Sequence, residues 1–116
     1  MYKLLDPDGH VCLSAEKGTI GGHRGLKIFG LLNCASALRF IAAGKYVKHR
    51  VFFADMPTAM AAGYRPCGKC MAEMYETWKL HRSDWDRMVK QIRDGYAVIR
   101  KENAKAAMLA VAKRAR

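Results

Sequence analysis

Apolar positions in the second half of the chain keep a helical rhythm. Met71, Met74, Tyr75 and Trp78 lie three and four residues apart, as do Trp85, Met88, Val89 and Ile92, which puts each set on one helix face. The spacing predicts a helix from Gly68 through Trp78 and a break at Arg82-Ser83. A second helix follows, opened by Ser83 and Asp86 as a capping box and ending near Asp94-Gly95. From Tyr96 to Arg116 an alanine-rich stretch predicts further helix. Upstream the rhythm shortens. Apolar runs at 2–5, 11–13, 27–30 and 47–54 have strand length, and Gly18, Gly21, Gly22 and Gly25 predict a glycine-rich basic loop. Two short helices fit between the later runs. One spans 35–43 and stops at Gly44; the other runs through Ala62, with Asp55 as N-cap, Pro57 in the first turn and Gly63 beyond the end.

With 116 residues, 51% apolar and 27% charged, the chain fits one ordinary domain whose core is thin enough to gain from a metal staple. Lys and Arg number 21 against 10 Asp and Glu, a formal charge of +11. Residues 79–116 carry eleven of these bases against four acids. This divides the chain into a compact module, 1–80, and a basic helical extension, 81–116. The excess favours a polyanionic partner, with nucleic acid foremost and acidic proteins or anionic membranes sharing the same chemistry. No secretory signal pattern opens the sequence, and no apolar stretch approaches membrane-spanning length. A cytoplasmic location without membrane attachment is therefore expected.

In a reducing compartment four cysteines point to metal or thiol chemistry rather than disulfides. Cys67-Gly68-Lys69-Cys70 can turn two thiolates toward one ion, and the turn's free amides together with Lys69 favour the thiolate form. The same spacing suits a thioredoxin-type redox pair or two packed cysteines without a task. The redox reading lacks a βαβ frame, and the segment before Cys67 reads as helix and turn. A closed zinc site needs two further ligands from Cys12, Cys34, His10, His23, His49 and His81. Cys34, at a strand-to-helix turn, is the third choice.

From about Lys27 to Trp78 these residues resemble the metal-binding domain at the N-terminus of Ada-type DNA repair proteins. The resemblance is sharpest in Phe52-Phe53-Ala54-Asp55, in 59–62 and in Gly63-Tyr64-Arg65-Pro66-Cys67-Gly68-Lys69-Cys70. The whole chain looks still more like small stand-alone bacterial and phage proteins with such a domain, through Gly21-Gly22-His23-Arg24, Lys27-Ile28-Phe29-Gly30 and His49-Arg50-Val51. The resemblance implies a small α/β (α+β) fold in which an antiparallel sheet and flanking short helices surround one Zn2+. In that family four cysteines hold the zinc, and one of them takes a methyl group from a DNA methylphosphotriester. Cys34 matches the second cysteine of the family's I-F-C-x-x-x-C segment. Gly30 stands where the methyl acceptor belongs, so methyl transfer is not expected.

The site then needs a substitute ligand. If 27–30 and 51–54 pair as antiparallel strands, the ladder carries His49 beside Leu32 and near Cys34, giving a set of Cys34, His49, Cys67 and Cys70. His23, in the glycine-rich loop, is the rival, and Cys12 a further one. For phosphate contact the candidates are His23, Arg24, Lys45, Lys48, Arg50, Arg65 and Lys69. Phe52, Phe53, Tyr64, Tyr75, Trp78 and Trp85 are expected mostly in the core. These readings describe a zinc-stabilised protein that binds DNA mainly through its phosphate backbone. An adaptor for an acidic protein and a redox protein using Cys67 and Cys70 are the alternatives.

Overall fold

A computed structural model describes residues 1–44 and 47–114. Strands β1 (Tyr2–Leu5), β2 (Val11–Ser14), β3 (Ile20–His23) and β4 (Ile28–Leu31) precede helix α1 (Ala35–Ala42). A 3-10 turn at Val47–His49 leads into β5 (Arg50–Phe53), α2 (Met56–Ala61), β6 (Arg65–Pro66), α3 (Ala72–Leu80) and α4 (Arg82–Arg114). The fold is α+β, and its six strands lie in the order β2-β1-β5-β3-β4-β6. The sheet is mixed rather than wholly antiparallel, because β1 runs parallel to β5 and β4 parallel to β6.

Local chemistry explains the elements. Asp6 closes the β1–β2 turn by accepting the Asp8 and His10 amides at 2.9 Å each. Asp55 caps α2, taking the Thr58 amide at 2.9 Å and its hydroxyl at 2.6 Å. Gly63 ends that helix at φ +90°, a conformation other residues adopt only with strain.

The glycine-rich segment departs from expectation. Residues 20–23 form an inner strand, β3, paired with both β4 and β5. Glycine serves here for close approach: a Cβ on Gly22 would sit 2.7 Å from the Ile28 carbonyl oxygen. The expected pairing of 27–30 with 51–54 therefore does not occur, since β3 lies between those strands.

One sheet face packs against α2 and the start of α4. Leu5, Ile20, Phe29, Phe53, Met60, Tyr64 and Trp85 form the core, with the Phe53 and Tyr64 rings edge to face at 4.8 Å. Phe53, Tyr64 and Trp85 are buried as the sequence implies, whereas Phe52, Tyr75 and Trp78 remain partly exposed. Helix α4 begins at Arg82, one residue before the expected cap, with the His81 carbonyl accepting the Trp85 amide.

The helix then runs unbroken through Asp94-Gly95, where an end was expected. Tertiary contacts on both sides of Gly95 account for this. Arg93 donates to the Ala61 carbonyl at 2.8 Å, Tyr96 OH meets Thr58 Oγ1 at 3.0 Å, and Arg100 pairs with Asp8 at 3.0 Å. Together they outweigh the ~1 kcal/mol that a mid-helix glycine costs. Since nothing lies within 4 Å of a Cβ built on Gly95, Gly95→Ala should stabilise the protein by ~0.5–1 kcal/mol. A thermal melt checks this. A lowered midpoint would return Gly95 to the role of helix terminator.

Candidate metal centre

Three cysteines reach one place from two parts of the chain. Cys34 follows the turn after β4, where its amide donates to the Leu31 carbonyl at 3.1 Å, and it is the N-cap residue of α1. Cys67 follows β6, and its amide donates to the Phe29 carbonyl at 2.7 Å. The Cys67-Gly68-Lys69-Cys70 knuckle then turns Cys70 back, with the Met71 amide bonded to the Cys67 carbonyl at 3.1 Å. Cys34 and Cys67 Sγ lie 4.0 Å apart, and all three sulfurs fall within 4.8 Å of one another. Tetrahedral Zn–S bonds of ~2.3 Å would space sulfurs ~3.8 Å apart. A small contraction would seat an ion. Cys34, Cys67 and Cys70 thus form a cluster that could bind a metal.

The backbone favours thiolates at this cluster. The Lys69 amide points at Cys67 Sγ and the Leu31 amide at Cys70 Sγ, each at 3.4 Å. Burial alone would raise the Cys67 thiol, but the Cys70 and Lys69 amides, together with hydrogen bonds from the Cys70 and Cys34 side chains, outweigh it and hold the group below its usual range. Cys70 is pushed up to about 12, first by burial and further by hydrogen bonding to Cys34 and the charge on Cys67, against the lowering effect of the Leu31 amide. A second charge beside the first is costly without a cation between them. A bound metal reverses that balance.

The β4–β6 register pairs Ile28 with Arg65 and Phe29 with Pro66, which sets Gly30 against Cys67. A Cβ on Gly30 would lie 2.9 Å from Cys70 Sγ and 3.1 Å from Cys67 Cβ. Gly30 is thus the point where the strand backbone touches the sulfur cluster.

The structure does not bring His49 there. The His49 carbonyl accepts the Arg24 amide at 2.8 Å, and the His49 ring lies tilted against that of His23 with centroids 5.0 Å apart. His23 registers with Ile28, two residues along β4 from Gly30, and its Nδ1 accepts the Leu26 amide at 3.0 Å. Burial, then the neighbouring His49, lowers the His23 pKa. Cys12 lies on β2, at the sheet edge opposite β6. Cys67 directly follows the short strand β6, where helix and turn were expected, as it would in a redox pair. The nearby Cys34 sulfur is what separates this cluster from a simple dithiol.

The phosphate candidates fall into two groups. His23 and Arg24 lie at the end of β3 and beyond it, near Arg50 at the start of β5 and Lys48 in the 3-10 turn before it. Arg65 precedes the knuckle and Lys69 lies within it, while Lys45 lies outside the described residues. Arg24 and Arg50 line one recess of about 250 Å³ together with Lys3. Lys3 escaped the sequence reading because its opposite number in space is 21 residues or more away along the chain.

A second group was also missed. Arg65 lies 5.2 Å from the ring centroids of both Tyr75 and Trp78, and Arg82 lies 4.5 Å from Trp78. The i, i+3 spacing of the two aromatics was visible in the sequence, but the arginines that cover them come from β6 and α4.

The site is a three-cysteine cluster at one edge of a small α+β sheet. Compared with known proteins, the chain matches no family model, no curated protein and no solved structure.

Cys34→Ser, Cys67→Ser and Cys70→Ser should each weaken metal binding by more than about a hundredfold, whereas His49→Ala, His23→Ala and Cys12→Ser should leave it within about threefold. Competition with a chromophoric chelator checks this order. Because Cys70 must give up its proton to the solvent on metal uptake, affinity should also rise with pH, about tenfold per unit for that one proton near neutrality.

Proposed function

We propose that the chain is a small zinc-stabilised domain that binds DNA by its phosphate backbone and carries out no methyl transfer. Soft thiolate donors suit zinc and disfavour magnesium or calcium, which seek oxygen. The observation that carries the DNA reading is the recess lined by Lys3, Arg24 and Arg50, whose lining includes no carboxylate. Three cations held around one hollow repel each other unless an anion enters. Among the described residues, the ion pairs involve Arg82, Arg87, Lys90 and Arg100, which leaves the recess cations outside that set.

The contact of Gly30 with Cys67 and Cys70 supports its alignment with the methyl acceptor of Ada-like domains, and glycine has no atom to accept the methyl group. On this reading the metal ties β4 to the knuckle and the basic surfaces do the binding. The thiolate site fits a reducing, cytoplasmic setting. Among the described residues, no helix is long and apolar enough to cross a membrane.

One observation favours a protein partner instead. Met60, Met74, Trp85, Met88 and Ile92 line an apolar groove of about 640 Å³ between α2, α3 and α4. Binding of a labelled duplex across a salt series separates the readings. On the DNA reading log affinity falls linearly with log salt, and Lys3→Gln with Arg24→Gln makes the slope shallower by about 0.9 for each phosphate that the variant no longer neutralises. Salt-independent binding, or a slope unchanged in the double variant, would contradict the assignment.

A further inference from the structure

The metal cluster has three donors where a tetrahedral ion takes four. Every Cys, His, Asp and Glu of the chain lies among the described residues, and only Cys34, Cys67 and Cys70 come together as a possible metal set. What borders the cluster instead is a hollow in the sheet. Gly21 and Gly30 are registered partners on β3 and β4, so their missing side chains fall on the same face. Side chains alternate along a strand, and β5 registers Phe52 with Gly21 and Arg50 with His23, which puts Arg50 on that face as well.

The resulting cavity, about 20 Å³, is near the volume that one water needs. Its walls include Gly21, Gly30, Cys34, Cys67 and Arg50. The guanidinium is close: Arg50 Nη2 would stand 3.3 Å from a Cβ on Gly21. Three thiolates around a divalent ion leave one net negative charge. An anionic fourth donor adds another, which the arginine offsets.

We infer that a metal held by Cys34, Cys67 and Cys70 keeps its fourth coordination place open to a small external donor. The donor enters beside Gly30 and, when anionic, is favoured by Arg50. This rests on the metal reading above and departs from it in one respect: the centre is exchangeable rather than closed. The hollow sets the size of the donor. An ion of a few atoms, such as azide, enters after a small shift of the Arg50 side chain, and a bulky one does not.

The test uses the full chain loaded with Co2+, whose visible absorption reports both the number of sulfur donors and a change of the fourth ligand. Azide is titrated as the probe. The expected result is sulfur-to-cobalt charge transfer of three-thiolate intensity with ligand-field bands that shift saturably as azide is added. Arg50→Gln should raise the azide concentration for half-saturation by up to about fivefold, as expected when a partly exposed ion pair is removed. Gly30→Cys supplies a fourth thiolate, so its charge-transfer intensity should rise by about a third and its response to azide should vanish. If that variant does not fold, Gly21→Val fills the hollow from the other strand and should suppress the azide response while retaining cobalt. Cobalt bands that azide leaves unchanged in the unaltered chain, or four-thiolate intensity there, would overturn the open place alone. Absence of cobalt bands would overturn the metal reading itself.

Discussion

The Cys67 amide bond to the Phe29 carbonyl, 2.7 Å long, is the contact on which the site depends. It belongs to a two-residue parallel pairing of β6 with β4, an unusually short ladder that must hold the knuckle against Gly30. Neither element could do so alone. β6 is too short to persist without its partner, and Cys34 and Cys67 are separated by 33 positions in the chain. A metal across the three sulfurs would fasten the same two segments a second time, closing that loop through coordinate bonds. Backbone pairing and metal binding are thus expected to reinforce each other, with the amides of Leu31 and Lys69 already aimed at the sulfurs.

Glycine shapes both sides of this arrangement. At Gly30 the strand backbone approaches Cys70 Sγ more closely than a side chain would permit without displacement. Opposite it, Gly21 leaves the neighbouring floor bare and gives Arg50 room to lie over the sheet. Arg50 also lines the recess with Lys3 and Arg24 on its other side. Arg50 therefore borders both the hollow beside the cysteines and the basic recess, so a change of charge at the cysteines alters the field felt by an anion in the recess.

Features governed by neighbouring residues were readable in the sequence. Asp55 and Gly63 bracket α2, Gly44 follows α1, and Cys67-x-x-Cys70 forms a knuckle because its spacing leaves little choice. The choice of Cys34 followed from its place at a strand-to-helix turn, and the structure brings it to the knuckle. Features governed by distant packing were not readable. Gly21-Gly22 has the composition of a loop, and only the close flanking strands β4 and β5 make it a strand. Misplacing β3 misplaced His49, because the proposed ladder assumed that β4 and β5 were neighbours. Asp94-Gly95 has the composition of a helix end, yet Arg93, Tyr96 and Arg100 anchor the helix on both sides of it. Tyr75 and Trp78 fit a buried stripe by spacing, but cations from β6 and α4 cover them and leave them partly exposed.

Whether Cys34, Cys67 and Cys70 hold one ion without a fourth ligand from the chain is legible in the ion's coordination shell. X-ray absorption at the zinc edge of the zinc-loaded protein tests it most directly. The expected shell holds three sulfurs at ~2.3 Å and one lighter atom at ~2.0 Å. A shell made mostly of nitrogen and oxygen would contradict the site, and a fit that requires imidazole scattering would restore a histidine to it.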